Sequence, residues 1–211
     1  MHLPDEVVGE LKGTARPGKG QILVQVFAEA ATAFEEEDLT EAIRLGEQAK
    51  HIALRSATVR ELLGLAYYRD GQFKRAAREL SAFRRIAGST EQNPVLADCY
   101  RAMAKPERAL ELCDEINSSV PDPIRYEGTI VAAGALTELD RTDEAIARIE
   151  ALELNPASAG EHHLRAWYVL ADLLERRGRF TQALDYFDAV AAADAESTDA
   201  PERARRLRQK Q

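Results

Sequence analysis

Small residues recur along this chain at an interval of about 34 residues. Five alanines mark the interval with spacings of 34, 33, 36 and 38 residues, and a second small residue stands twelve positions before each of them. Two helices cross with their backbones close together only where the side chains at the crossing are small. Two small positions per unit therefore predict a helix–turn–helix hairpin that stacks on its neighbours. The pairs are Ala30 and Ala42, Gly64 and Ala76, Ala97 and Ala109, Ala133 and Ala145, and Ala171 and Ala183.

Large apolar residues around these positions keep the same interval. In the last unit, Trp167, Leu170 and Phe187 surround the two small positions. Gly71 and Gly178 fall between the two helices of the second and fifth units, where glycine accepts a left-handed backbone without steric cost. No segment alternates apolar and polar residues with a period of two over a convincing length. The pattern predicts an all-α fold.

This spacing of small, aromatic and apolar residues resembles the tetratricopeptide repeat over about residues 22–194. The resemblance implies a right-handed α-solenoid of about five hairpins in one domain. Residues 1–21 then form a short N-terminal helix and linker, and residues 195–211 form a basic C-terminal capping helix. The run from Val59 to Glu115 is also similar to actinobacterial tetratricopeptide proteins of unassigned function, which implies a bacterial source and adds no activity.

Both ends of the chain predict helices of their own. Residues 3–12 place Leu3, Val7, Val8 and Leu11 on one side of a short amphipathic helix. That side needs an apolar surface, either the first hairpin of the same chain or the same surface of another copy, which would make a homodimer. At the other end, Asp199 stands at a cap position before a segment with five bases and one acid. This segment predicts a solvating end helix.

The residues with reactive side chains do not form a recognisable reaction site. Cys99 and Cys113 lack the spacing of a metal or redox pair, which predicts two buried thiols. His162 and His163 are adjacent, so their rings diverge by about 100° on a helix, and we expect them at a solvated helix entry. The acidic run 35–38 predicts an exposed turn rather than an acid–base pair. We therefore expect no enzyme activity, no metal and no cofactor.

Charge is distributed unevenly along the chain, which carries a net charge of −8. Residues 29–50 hold seven acids and two bases, whereas residues 71–108 hold eight bases and four acids. The overall acidity argues against nucleic acid as the partner, because such binders usually carry an excess of Lys and Arg across the domain. The chain has neither an apolar run long enough to span a membrane nor an N-terminal signal pattern, which predicts a cytoplasmic location.

The resemblance implies a non-enzymatic scaffold or adaptor that holds a partner peptide or protein in a concave groove. The first helix of each hairpin lines this groove. The alternatives are a small-ligand or enzymatic protein that uses the groove as a pocket, and a partner site on the convex face. Chaperone-clamp domains have Lys and Asn where this chain has Phe27 and Ala31, so that subtype is excluded.

The predicted groove residues come from all five hairpins, and most of them are aromatic or charged. Tyr68, Arg69 and Arg101 fall in the basic middle of the chain, which predicts a partner segment with an acidic or carboxylate-bearing centre. For Phe27, Phe34 and Leu65, packing against a neighbouring hairpin is an equal alternative. The predicted partner-binding residues are Phe27, Phe34, Glu61, Leu65, Tyr68, Arg69, Asp98, Arg101, Arg165, Tyr168, Asp172 and Arg176, with Ala31, Ile130 and Glu138 beside them.

Overall fold

The structure is a computed structural model that describes residues 2–117, 119–152, 160–196 and 198–209, apart from the side chain of Glu161. These residues form twelve α-helices and no strand. The helices are α1 (Asp5–Thr14), α2 (Gly20–Glu35), α3 (Leu39–Ile52), α4 (Ala57–Arg69), α5 (Phe73–Ala87), α6 (Asn93–Ala102), α7 (Pro106–Asp114), α8 (Asp122–Glu138), α9 (Thr142–Glu150), α10 (Glu161–Arg176), α11 (Phe180–Ala193) and α12 (Ala200–Arg208).

The chain divides into two compact units, Met1–Lys105 and Pro106–Gln211. The N-terminal unit contains α1 to α6, and the C-terminal unit contains α7 to α12. The division falls in the turn of the third predicted hairpin, a position that the sequence pattern does not single out. The extra residues around Pro156, which lengthen the connection between the fourth and fifth hairpins in the sequence, lie outside the described residues.

All ten small residues of the predicted crossings are buried, and each of the nine alanines among them has 0% of its surface exposed. Gly64 shows why the position must be small. A Cβ atom there would lie 2.7 Å from Cγ and Cδ2 of Leu80. Helices α4 and α5 therefore approach each other as closely as a glycine allows.

The turn inside each hairpin has the same backbone geometry. One residue adopts the left-handed conformation, and these five residues follow one another at the spacing of the five alanines. In the second hairpin the amide of Gln72 donates to the carbonyl of Tyr67 at 2.8 Å. The amide of Gly71 donates to the carbonyl of Tyr68 at 3.0 Å. This pair of bonds closes a helix C-terminus. The left-handed residues are Glu37 (φ 61°), Gly71 (φ 73°), Ala104 (φ 55°), Asp140 (φ 60°) and Gly178 (φ 74°).

Helix α1 docks on its own chain, which is the intrachain alternative of the two that the sequence leaves open. It packs against α2 and α4, and Leu3 and Leu11 are buried in the apolar cluster of the N-terminal unit. The carboxylate of Glu10 accepts hydrogen bonds from Ser56 Oγ and from the amide of Ala57, both at 2.8 Å. A negative charge is favourable at this place because it faces the N-terminus of α4.

Helix α12 is less solvated than the sequence predicts. It packs against α11 with Ala204 and Leu207 buried. The side chain of Arg203 is only 13% exposed, so the expectation of a purely solvating helix is wrong for this residue. The guanidinium of Arg203 can be buried because it forms ion pairs with carboxylates of α10. Lys210, the last base of the predicted basic segment, lies outside the described residues.

A buried carboxylate, Glu79, organises the polar interior of the N-terminal unit. It accepts hydrogen bonds from Lys50 Nζ at 3.1 Å, from Arg78 Nε at 3.0 Å and from Arg60. Burial acts to raise the pKa of Glu79, but the hydrogen bonds and positive charges of Arg60 and Lys50 outweigh it and hold the pKa below its usual range. A buried charge is tolerated only when it is paired in this way.

Candidate functional site

One side of α4 carries the predicted groove residues of the N-terminal unit. Glu61, Leu65, Tyr68 and Arg69 follow the spacing i, i+4, i+7 and i+8, which places them on a single helical face. Phe34 at the end of α2 and Asp98 of α6 contact this side of α4, and Arg101 of α6 pairs with Asp98. We call the set formed by Phe34, Glu61, Leu65, Tyr68, Arg69, Asp98 and Arg101 the N-terminal face.

Side chains of the N-terminal face hold one another in place across three helices. The guanidinium of Arg69 lies 4.1 Å from the centre of the Phe34 ring, a cation–π distance. Tyr68 donates its hydroxyl to Asp98 Oδ2 at 2.7 Å. Arg101 donates to the other oxygen of the same carboxylate at 2.8 Å. The face is therefore preorganised, and it presents aromatic, cationic and anionic groups in one strip.

Glu61 lies farther along the same face and differs in its environment. Its carboxylate accepts a hydrogen bond from Gln92 Nε2 at 2.8 Å. Burial raises the pKa of Glu61 above its usual range, and the nearby charge of Glu91 acts in the same direction. This end of the face is consequently the one where an added negative charge is disfavoured.

Two residues near the predicted groove belong to the core instead. Phe27 is 6% exposed and Ala31 is 8% exposed, and both lie in the apolar cluster that receives α1. For Phe27 the packing alternative therefore holds, because almost none of its surface can reach a partner. Phe34 and Leu65 are half-buried and keep part of their surface in contact with solvent.

In the C-terminal unit, α12 covers part of the predicted groove surface on α10. Tyr168 donates its hydroxyl to Asp199 Oδ1 at 2.6 Å. Arg203 donates to Asp172 Oδ1 at 2.7 Å and to Glu175 Oε2 at 2.6 Å, and its guanidinium lies 4.4 Å from the centre of the Phe187 ring. Tyr168 and Asp172 are thus engaged by their own chain rather than open to a partner. The repeat motif of the sequence does not by itself predict this contact.

A repeat offset could have revealed the contact. Asp199 and Arg203 each follow their α10 partner by 31 residues, and Gln92 follows Glu61 by the same number. Helix α12 therefore occupies the same position in the repeat relative to α10 as α6 occupies relative to α4. The other two predicted residues of α10 also form ion pairs, Arg165 with Glu127 at 2.7 Å and Arg176 with Asp172 at 2.8 Å.

The C-terminal unit also contains an apolar cavity of about 370 Å³. Of its lining residues, the sequence predicts only Ile130, Arg165 and Tyr168 near a groove; the others lie on α10, at the end of α11 and in the segment after it. A cavity of this size and lining suits a small apolar group. The lining consists of Ile130, Leu164, Arg165, Tyr168, Val169, Val190, Asp194 and Thr198.

The remaining reactive side chains are placed as structural groups. Cys99 and Cys113 are buried free thiols, as predicted. Burial raises the pKa of Cys99 to about 12, with a further contribution from Asp98, so this thiol stays protonated at neutral pH. Within the described ranges no cluster of three or more His, Cys, Asp or Glu residues could hold a metal ion. Nor does any helix there reach the length and apolarity that a membrane crossing requires.

The two histidines are less solvated than expected. His162 and His163 are half-buried, and their ring centres lie 4.8 and 5.0 Å from that of Tyr126. His163 Nδ1 accepts a hydrogen bond from the amide of Gly160 at 2.9 Å, at the entry to α10. In the acidic run, all four residues are exposed, and Asp38 caps α3 by accepting from the amide of Glu41 at 3.0 Å.

Comparison with known proteins identifies the repeat directly. A family model of the tetratricopeptide repeat matches residues 166–201, which span most of α10, all of α11 and the start of α12. No curated protein sequence gives a match to the chain.

Solved structures extend the likeness to most of the chain. A crystal structure of MamA has a TM-score of 0.65 at 16% identity, covering 84% of this chain and 94% of that one. TTC0263 from Thermus thermophilus, described as a thermophilic TPR protein, has a TM-score of 0.63 at 16% identity, with coverages of 89% and 99%. YrrB, described as a TPR protein with an unusual peptide-binding site, has a TM-score of 0.60 at 17% identity, with coverages of 84% and 89%.

These identities are low, so the likeness concerns the fold. Together with the helical hairpins it confirms the predicted resemblance to tetratricopeptide proteins and the all-α solenoid class. In general, this fold serves in protein–protein interaction.

Proposed function

We propose that the chain is a non-enzymatic adaptor that binds an extended or helical segment of a partner protein on the N-terminal face. The observation that carries the proposal is the preorganised strip of Phe34, Tyr68, Arg69, Asp98 and Arg101 across α2, α4 and α6. Tyrosine and arginine are enriched among residues that dominate binding energy at interfaces. Because these side chains already hold each other, binding does not have to order them first.

The structure adjusts the expected chemistry of the partner segment. Arg101 is paired with Asp98, so its charge is largely satisfied within the chain, whereas Arg69 is exposed and stacked on Phe34. A carboxylate of the partner would therefore meet Arg69, and an apolar side chain would lie against Leu65 and Phe34. The half-exposed ion pair beside them would supply orientation more than affinity.

Photocrosslinking from the source cell tests the proposal. A photoreactive phenylalanine analogue replaces Leu65 on the N-terminal face in one variant and Arg85 on the exposed side of α5 in another. We expect one defined protein to be crosslinked through position 65 and not through position 85. Capture of the same protein through position 85 alone would refute the assignment of the face.

A second candidate function is the binding of a small apolar ligand in the cavity of the C-terminal unit. The observation that favours it is the lining by Ile130, Leu164, Val169 and Val190. Substitution of Val169 by Trp would fill the cavity. If this candidate is correct, a fluorescent apolar probe such as anilinonaphthalene sulfonate binds the wild type and not that variant, and partner capture through position 65 is unchanged.

A further inference from the structure

A second polar surface of the N-terminal unit lies on α5 and at the end of α6. Lys74, Ala77, Arg78 and Ser81 follow the spacing of a single helical side on α5. With Tyr100, Met103 and Lys105 they line a cavity of about 410 Å³, which we call the basic cavity. The basic cavity and the N-terminal face have no residue in common.

The basic cavity holds cations that the chain does not neutralise. Neither Lys74 nor Lys105 forms an ion pair through its ammonium group with any residue that the structure describes. No carboxylate is among the residues that line the cavity. Three positive charges therefore converge on one concave surface of a chain whose net charge is −8.

Arg78 has a carboxylate partner, but that partner does not cancel the charge of the cavity. Arg78 donates to Glu79 Oε1 through Nε at 3.0 Å and through a terminal nitrogen at 2.9 Å. The Glu79 side chain is fully buried, and Lys50 and Arg60 also donate to it. Glu47 is the other acid of this network. Three cations thus face two anions, and the wall behind the cavity stays positive.

The position of Lys74 is unfavourable for the helix that carries it. It is the second residue of α5, and the first turn of this helix contains no acidic residue. The helix dipole places partial positive charge at that end, so a cation there is destabilising and an anion is stabilising. Local rules of this kind are broken mostly where function requires it. An anion in the basic cavity would relieve the conflict.

We propose that the basic cavity binds the phosphate group of a phosphate monoester. Lys74, Arg78 and Lys105 provide the cationic contacts, and the hydroxyl of Ser81 provides a neutral donor. A dianion matches three convergent cations better than a single carboxylate does, and charged hydrogen bonds to phosphate are strong. Tyr100 and Met103 offer apolar surface to the organic part of the ligand. The proposal is independent of the partner site on the N-terminal face.

Calorimetric titration of the full chain with phenyl phosphate tests the site. We expect saturable binding of phenyl phosphate by the wild type. The affinity should fall by about tenfold or more in the double variant Lys74→Gln, Lys105→Gln, because two charge-assisted hydrogen bonds to the phosphate are lost. The matched control is Arg85→Gln, an exposed cation of the same helix outside the cavity, which should bind like the wild type. Benzoate, with the same ring and one charge, should bind more weakly than phenyl phosphate.

A phosphorylated peptide identifies the source of the phosphate. A short phosphoserine peptide that binds more tightly than phenyl phosphate assigns the site to a phosphorylated side chain, and the reverse order assigns it to a free phosphorylated metabolite. Either order supports a phosphate site. The proposal is overturned if phenyl phosphate shows no saturable binding at millimolar concentration or if the double variant binds like the wild type. It is also overturned if only a single-stranded oligonucleotide binds. Thermal melts of both variants verify that they remain folded.

Discussion

At the residue scale, three hairpin turns place a residue other than glycine in the left-handed backbone conformation. Ala104 has a positive φ of 55°, a conformation that costs a residue with a Cβ about 1–2 kcal/mol. We predict that Ala104→Gly raises the free energy of unfolding by about 0.5–1 kcal/mol, because relief of strain exceeds the added flexibility of the unfolded chain. Urea denaturation measures the change.

The matched control for this turn is Gly71→Ala, the reverse substitution at the equivalent position of the second hairpin. No atom lies within 4 Å of a Cβ built at Gly71, so any loss of stability there comes from the backbone alone. We expect it to destabilise the chain. If both variants moved in the same direction, the assignment of strain to the left-handed position would fail.

Close helix crossing gives the second prediction at this scale. A Cβ at Gly64 would lie 2.7 Å from the Leu80 side chain, so Gly64→Ala should destabilise the N-terminal unit by about 1–3 kcal/mol through overpacking. Gly9→Ala is the control, since it is also helical and nothing lies within 4 Å of its Cβ. The control should be neutral or stabilising. Equal melting temperatures for Gly64→Ala and the wild type would contradict the packing.

Individual residues could be predicted from the sequence best where steric constraints allow only a small residue or a glycine. Small residues at helix crossings and glycine at two turns follow from steric rules, so the sequence placed the turns of the second and fifth hairpins at Gly71 and Gly178. Ala104, Glu37 and Asp140 adopt the same conformation without glycine, which no composition rule reveals. Glu79 was equally hidden, because its burial depends on cations from two other helices.

At the element scale, Arg203 connects α12 to α10. Its removal leaves Asp172 and the largely buried Glu175 without their shared cation. We predict that Arg203→Ala destabilises the C-terminal unit by about 2–3 kcal/mol and increases amide hydrogen exchange in α12. Arg205→Ala, an exposed residue of the same helix, should change stability by no more than about 0.5 kcal/mol. Unchanged exchange in the Arg203 variant would show that apolar packing alone holds α12.

The same contact predicts a dependence on pH. Burial acts to raise the pKa of Glu175, but the hydrogen bond and charge of Arg203, with a contribution from Arg206, outweigh it and lower the pKa. An unfolded glutamate has a pKa of about 4.3, so acid protonates the unfolded state first. The stabilisation is therefore complete at neutral pH and is lost as pH falls from about 4 through the lower folded pKa.

Hydrogen exchange in α12 as a function of pH measures this loss. We expect the protection of α12, corrected for intrinsic exchange rates, to decrease below pH 4 in the wild type. In Glu175→Gln the protection should be lower at neutral pH and should change less with acid. A steeper acid response in that variant than in the wild type would contradict the role of Glu175.

Helices were predictable from the sequence to the extent that their apolar faces are regular. The N-terminal helix was expected at residues 3–12 and is found at Asp5–Thr14. The sequence left its docking site open between the first hairpin and another copy, because the contact depends on Glu10 reaching Ser56 and Ala57 across 46 and 47 residues. The contact of α12 with α10 was missed because the sequence showed α12 only as a run of basic residues.

At the scale of the whole molecule, the repeat pattern predicts the fold better than it predicts the site. The tetratricopeptide fold is confirmed, whereas the division into two units at Lys105 and Pro106 has no counterpart in the repeat spacing. The predicted groove residues accordingly form two separate sets. Those of the C-terminal unit are largely engaged by ion pairs within the chain, and those of the N-terminal unit, apart from the buried Phe27 and Ala31, form the N-terminal face that we assign to a partner.

The most direct test of this assignment is the affinity of the protein crosslinked through position 65. Isothermal titration compares the wild type, the double variant Arg69→Ala, Arg101→Ala and the control Arg85→Ala. Loss of interface arginines costs about 1–2 kcal/mol, so the double variant should bind about five- to thirtyfold more weakly with its melting temperature nearly unchanged. The control should bind like the wild type. Full affinity in the double variant together with a loss in Arg85→Ala would contradict the account and place the partner on the outer side of α5.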